Sequence, residues 1–231
     1  MDKAQSDALR SVAFFSSLDQ DVFDQLKRQS LTREFSAREL IIGQDDESFD
    51  VLFLLSGLAR VNIYSLSGQR ISFRDIQPGA IFGELSAIDG QRRSASVECV
   101  EPCAVTIMRR DHFLQALADH PQFMMVVMKH LTSQVRGLTT RVVEFSTLDV
   151  RNRVRSELLR RGEQAARGAN EVALSPAPTH AEIASKISTH REAITREFSW
   201  LSDHGFIVKE GRSLKITNLK RLRGLIDDSL A

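Results

Sequence analysis

The chain is poor in the residues that usually advertise special chemistry. Its 231 residues hold two cysteines, one tryptophan, one tyrosine and five prolines. Cys99 and Cys103 sit in or beside one strand-like stretch and do not form a C-x-x-C pair. Neither a disulfide framework nor a zinc or iron–sulfur site is therefore expected. The six histidines are scattered, with no nucleophile–base set, P-loop or metal-ligand spacing, so the sequence does not read as an enzyme. No apolar run is long enough to cross a bilayer. The opening MDKAQSDALR is polar rather than leader-like, so a cytoplasmic protein with no membrane partner is expected. No repeat or low-complexity segment stands out.

What is present is organised in blocks. Net charge is +1, but residues 1–149 carry 16 Lys and Arg against 20 Asp and Glu, whereas residues 150–231 carry 15 against 10. A basic C-terminal segment points to a polyanionic partner there. Residues 6–30 show helical spacing in Leu9, Val12, Ala13, Val22 and Leu26. From about 31 to 110 the chain reads as short strands, ELIIG, DVLFLLSG, ARVNIYS, RISFRDI, SASVECV and CAVTIM, punctuated by Gly, Asp, Ser and Pro. That spacing predicts an antiparallel sandwich or barrel.

After LADHPQF the period changes. Pro121 suits a first helical turn. Met124, Met128, Leu131, Val135, Leu138, Val142 and Phe145 follow at alternating steps of four and three. Such a stripe serves an ordinary helix on a core. Its narrowness and length favour a parallel coiled-coil homodimer through residues 124–145.

The basic segment contains APTHAEIASKISTHREAITREFSWLSDHGFI. Thr179 with Glu182, and Thr189 with Glu192, each read as a capping box that starts a helix. Gly205 reads as the C-cap of the second. Two short helices across a tight turn predict a helix-turn-helix, with Ser188 where a glycine often stands. On the second helix Ile194, Phe198 and Leu201 can pack inward, leaving Arg191, Glu192, Thr195, Arg196 and Ser199 outside. Arg can grip guanine and Glu can accept from cytosine, so this face suits the major groove. GFIVKEGRSLKITNL alternates around Glu210 and Gly211 like a wing, offering Lys209, Arg212 and Lys215 to phosphates.

The stretch IFGELSAIDGQRRSASV places Glu84 and Arg93 at the feet of a loop that Asp89-Gly90 would turn as a hairpin. Arg93 offers a donor fork for a phosphate and Ser94 a hydroxyl. Backbone N–H groups near Gly83 and Ala95 can cradle an anion, and Glu84 suits sugar hydroxyls. A surface ion pair between Glu84 and Arg93 is the plain alternative, and spacing alone leaves the two even.

FGELSAIDGQRRSAS resembles the phosphate-binding cassette of cyclic-nucleotide-binding domains. LDVRNRVR and HREAITREF resemble the cyclic-AMP receptor branch of the CRP/FNR transcription regulators, and the likeness covers nearly the whole chain. It implies an α+β fold: an antiparallel, jelly-roll-like β-roll over 1–118, a dimerisation helix over 119–148 and a winged helix-turn-helix over 149–231. It implies a cyclic nucleotide, cyclic AMP with cyclic GMP as second candidate, held by Gly83, Glu84, Leu85, Arg93, Ser94 and Ala95. Aligned on LDV, the base-contacting helix positions fall on Leu138 and Thr139; Leu138 cannot bond a base, so Thr139 and Thr140 are the candidates. Thr179, His190, Arg191, Glu192, Thr195 and Arg196 are implied for DNA, with a palindromic site and RNA polymerase as further partners. The cysteine cluster of FNR-type sensors is missing, and haem-bearing relatives lack a full cassette, so no metal, haem or iron–sulfur cluster is implied.

Overall fold

A computed structural model describes residues 9–10, 15, 18–64, 70–166 and 168–227. Its contacts divide the chain into two units, Met1–Val135 and Arg136–Ala231. The first holds α1 (Gln20–Arg28), β1 (Ser30–Phe35), β2 (Leu40–Ile42), β3 (Val51–Ser56), β4 (Ala59–Tyr64), β5 (Arg70–Ile76) and β6 (Ile81–Phe82). Then come α2 (Glu84–Asp89), β7 (Ser96–Cys99), β8 (Cys103–Met108), α3 (Arg110–Asp119) and the start of α4 (Pro121–Thr147). The strands pair in two antiparallel sheets, β1-β8-β3-β6 and β2-β7-β4-β5.

Burial explains the strand sequences. Leu52 and Leu54 of β3 join Phe35, Ile42, Val61, Ile76, Phe82, Val97 and Val105 in the core shared by the two sheets. Val51, Phe53 and Leu55, on the other face of β3, pack with Leu26, Phe113, Phe123 and Val127 of the helices. Covered on both sides, β3 reads as one apolar run, whereas strands with a wet face alternate. All six strand-like runs of the sequence are strands. Of the opening helical stretch, α1 buries Phe23 and Leu26, and Leu9 is helical and fully buried, while Val12 and Ala13 lie outside the described residues. Cys99 and Cys103 are buried thiols, and burial pushes Cys99 up to about 12, which keeps it protonated and inert.

Helix α4 has Pro121 in its first turn and runs 27 residues. It buries Phe123 and Val127. Of the expected seam, Leu131 is partly covered, but Met124, Met128, Val135, Leu138, Val142 and Phe145 remain 40–64% exposed in the single chain.

The second unit holds the end of α4, then α5 (Val150–Ala166), β9 (Val172–Leu174), α6 (His180–Lys186), α7 (Arg191–Asp203), β10 (Ile207–Glu210), β11 (Ser213–Ile216) and α8 (Leu219–Asp227). Its sheet runs β10-β11-β9, and Val154, Leu158, Ile183, Ile194, Leu201 and Leu222 form its core. Beside that core Glu157 is only 2% exposed. It accepts from Arg160 at 2.5 Å and Arg161 at 2.8 Å, with Lys186 of α6 at 3.7 Å. Arg160 also donates to both oxygens of Glu144 on α4, at 2.6 and 2.7 Å. Burial alone would raise the Glu157 carboxyl, but Lys186, Arg161 and Arg160 outweigh it and hold it below the usual range.

A depressed folded pKa means that Glu157 stabilises the unit above its unfolded value near 4.5. That contribution is lost as pH falls through the lower folded value. Glu157→Gln should therefore destabilise the second unit at pH 7 by roughly 3 kcal/mol and flatten its loss of stability below pH 4.5. Urea unfolding followed by Trp200 fluorescence checks both, because Trp200 is the sole tryptophan and belongs to that unit.

Candidate functional site

The loop between Glu84 and Arg93 is not a hairpin. Gly83, at φ 78°, opens α2, and Gly90, at φ 71°, closes it, so Asp89-Gly90 ends a helix rather than turning a strand. Ala87 is buried beneath this short helix, and Leu85 is 46% exposed on its outer side. A side chain at Gly83 would place Cβ 2.7 Å from Arg93 Nη1 and 3.0 Å from the Asp50 carbonyl. Both the left-handed backbone and this crowding call for glycine.

Arg93 is only 3% exposed. Its fork does not project into solvent, as a surface ion pair with Glu84 would require. Nη1 donates to the Gly83 carbonyl and Nη2 to the Asp50 carbonyl, both at 2.8 Å, while Nε donates to Ser48 Oγ at 2.9 Å. These bonds take three of the guanidinium's five N–H groups and leave one on each Nη. Burial lowers its pKa, opposed by the charges of Asp50, Asp46 and Glu84. Ser94 is exposed and Ala95 half-buried.

Glu84 is 2% exposed. Its Oε1 accepts from Gln134 Nε2 of α4 at 2.8 Å, and His130 Nε2 stands 3.8 Å from the same oxygen. The half-buried Arg74 of β5 adds a positive charge that acts on both Glu84 and His130. Arg74, His130, Gln134, Ser48 and Asp50 were not candidates on sequence. Gln134 lies one turn before Leu138 of the seam. Thr139 and Thr140 are exposed on α4 and belong to the second unit, as does Leu138; Thr140 Oγ1 donates back to the Arg136 carbonyl at 3.1 Å.

In the second unit the first capping box is present: Thr179 N donates to Glu182 Oε2 at 2.7 Å, and Glu182 N to Thr179 Oγ1 at 3.2 Å. The expected box from Thr189 to Glu192 is absent. Helix α7 starts at Arg191, with the exposed His190 as an N-cap that makes no side-chain bond. Ser188 takes φ 51°, the left-handed turn that its place between the helices demands. Ile194 and Leu201 are fully buried, and Arg191, Glu192, Thr195, Arg196 and Ser199 share the exposed face. Thr195 is less available than its position suggests. Its hydroxyl donates to the Arg191 carbonyl at 3.0 Å, so His180 Nδ1, 2.9 Å away, donates to it. Burial, then Arg191 and Lys209, lower the His180 pKa. On the wing Lys209 and Arg212 are exposed, but Lys215 pairs with Glu171 at 2.7 Å.

Two family models match the chain: the cyclic nucleotide-binding domain over residues 32–120 and the Crp-like helix-turn-helix domain over 152–225. Among curated relatives is the CRP-like cAMP-activated global transcriptional regulator of Mycobacterium tuberculosis, 21% identical over 93% of this chain and 96% of its own length. Another is the transcriptional regulator SdrP of Thermus thermophilus, 26% identical over 85% of this chain and 94% of its own. The fold matches a CooA mutant from Carboxydothermus hydrogenoformans with a TM-score of 0.79 at 16% identity, covering 93% of this chain and 95% of that one.

Gly79, at φ 91°, has open space where a Cβ would stand, unlike Gly83. Gly79→Ala should lower stability by about 1–2 kcal/mol from backbone conformation alone. Gly83→Ala should lose about 1 kcal/mol or more beyond that, because its Cβ presses on Arg93 and the Asp50 carbonyl. Chemical denaturation of the two variants side by side measures the difference.

Proposed function

We propose that this chain, which belongs to the CRP/FNR family of transcription regulators, is a homodimer whose first unit binds cyclic AMP and whose second unit reads a palindromic DNA site. The observation that carries the reading is the pairing of Arg93 and Glu84 around the Cβ-less Gly83. Arg93 keeps an N–H on each Nη for a cyclic phosphate, and the Ser94 hydroxyl is open beside it. Glu84 has one oxygen held by Gln134 and the other left to accept a ribose hydroxyl. The M. tuberculosis relative is named for activation by cyclic AMP, which favours that nucleotide over cyclic GMP. Thr139 and Thr140 are the helix positions assigned to the base.

The exposed apolar seam of α4 supports a second copy as its cover, since apolar side chains 40–64% exposed at heptad spacing are the pattern of an unpaired coiled-coil strand. Two-fold pairing would present two α7 helices to two half-sites. There Arg191, Glu192 and Arg196 meet base edges, and Thr179, His190, Lys209 and Arg212 lie nearer the backbone. RNA polymerase is the further partner this role calls for. No helix of the described residues is long and apolar enough to cross a membrane, and a cytoplasmic site of action belongs to the same reading.

One observation favours a second reading, a regulator that needs no nucleotide. The Arg93 fork is turned onto the Gly83 and Asp50 carbonyls, so bonds within the protein fix the shape of the cassette.

Calorimetric titration separates the two. Cyclic AMP should bind wild type, and Arg93→Ala should weaken it by about ten- to a hundredfold, the range for hydrogen bonds to a charged group; a wild type that binds neither cyclic AMP nor cyclic GMP leaves only the second reading. For DNA, footprinting should give a two-fold-symmetric site. Arg191→Ala should relax base preference at one position of each half-site, at roughly 1–3 kcal/mol. An unaltered preference would remove Arg191 from the groove.

A further inference from the structure

We infer that Gln134 and His130 are positioning residues for Glu84, which make the recognition of a ribose hydroxyl depend on helix α4. This rests on the cyclic-nucleotide reading above and adds to it a pair of residues that set specificity without touching the ligand.

The geometry is a single nitrogen shared between two acceptors. Gln134 Nε2 lies 2.8 Å from Glu84 Oε1 and 2.7 Å from His130 Nε2. An amide nitrogen carries two hydrogens, and one goes to each neighbour. His130 Nε2 must then be the lone-pair nitrogen, which makes the ring neutral with its proton on Nδ1. Burial favours that state and Arg74 adds to it, while Glu84 opposes.

Glu84 decides which way the amide faces, because a carboxylate can only accept, and the neutral His130 takes the tautomer that keeps it so. The opposite orientation would aim the Gln134 oxygen at the Glu84 carboxylate and at the imidazole lone pair, acceptor against acceptor on both sides. The spacing of four residues puts both side chains on one face of α4. Held by this pair, Glu84 cannot turn about its last torsion, and its second oxygen keeps a fixed direction. A sugar hydroxyl then meets an oriented acceptor rather than a rotating one, which is where preorganisation adds affinity.

The test is calorimetry with cyclic AMP and 2′-deoxy cyclic AMP on the full chain. Wild type should prefer the ribose form by about ten- to a hundredfold, as expected for a hydroxyl bonded to a carboxylate. In Gln134→Leu, which keeps the size and loses both donors, that preference should fall below about threefold. Gln134→Arg, which restores donors, should recover most of it, and it serves as the test if the leucine variant does not fold. His130→Phe should give an intermediate loss. A wild type that binds, with its preference unchanged in Gln134→Leu or not recovered by Gln134→Arg, overturns this inference alone. A wild type that binds neither nucleotide overturns the cyclic-nucleotide reading and this one together. Ligand-free nitrogen NMR checks the arrangement independently of binding. The His130 Nε2 resonance should have the shift of an unprotonated nitrogen and should move in Gln134→Leu; a protonated Nε2 would sink the inference whatever the titrations show.

Discussion

A buried guanidinium holds the first unit's binding region in shape. Arg93 ties together the Gly83 carbonyl, the Asp50 carbonyl and the Ser48 hydroxyl. Its own backbone exchanges two further bonds, from its N–H to the Asp46 carbonyl and from the Asp45 N–H to its carbonyl. Placing a cation this deep is costly unless its donors are met. Here two main-chain carbonyls and a serine hydroxyl meet three of the five, and a carbonyl that lost such a partner would be left buried and unsatisfied, at about 1–3 kcal/mol each. The start of α2, and with it the place of Glu84, follows from where Arg93 sits.

Each unit contains a carboxylate that organises cations or donors around itself, but the two are built differently. Glu157 is surrounded by Arg160, Arg161 and Lys186, so its charge is neutralised several times over and its role is to lock helices. Glu84 has the Gln134 amide and the His130 imidazole as its helix-borne neighbours. Its cationic neighbours, Arg74 and Arg93, come from the β-sheet side rather than from the helix, and its second oxygen is left open. Helix α4 supplies a member to each arrangement, Gln134 to one and Glu144 to the other.

Much of this was legible in the residues, and the failures have physical causes. Strands β2 to β5, β7 and β8 announced themselves because burial on one or both faces writes period-two or continuous apolar runs. Helix α4 did so through its seam. Helix α2 was hidden because six residues bounded by glycines look like a turn, and Asp89-Gly90 is a turn dipeptide that serves equally as a helix end. The α7 start was misplaced because Thr189 and Glu192 have capping-box spacing, while the left-handed Ser188 moves the first helical residue to Arg191. Two of the three partners of the Arg93 fork are main-chain oxygens, which carry no sequence signal. Gln134 meets Glu84 across fifty positions, and nothing local to either residue encodes that encounter.

The pairing of Lys215 with Glu171 changes how the wing should meet a polyanion. A cation already neutralised within the protein does not displace a condensed ion from a nucleic acid, and each missing displacement lowers the steepness of affinity against the logarithm of salt concentration by about 0.9. Lys209 and Arg212 remain as the wing's exposed cations. The wing's grip should therefore be less ionic, and more tolerant of brine, than its count of basic residues suggests.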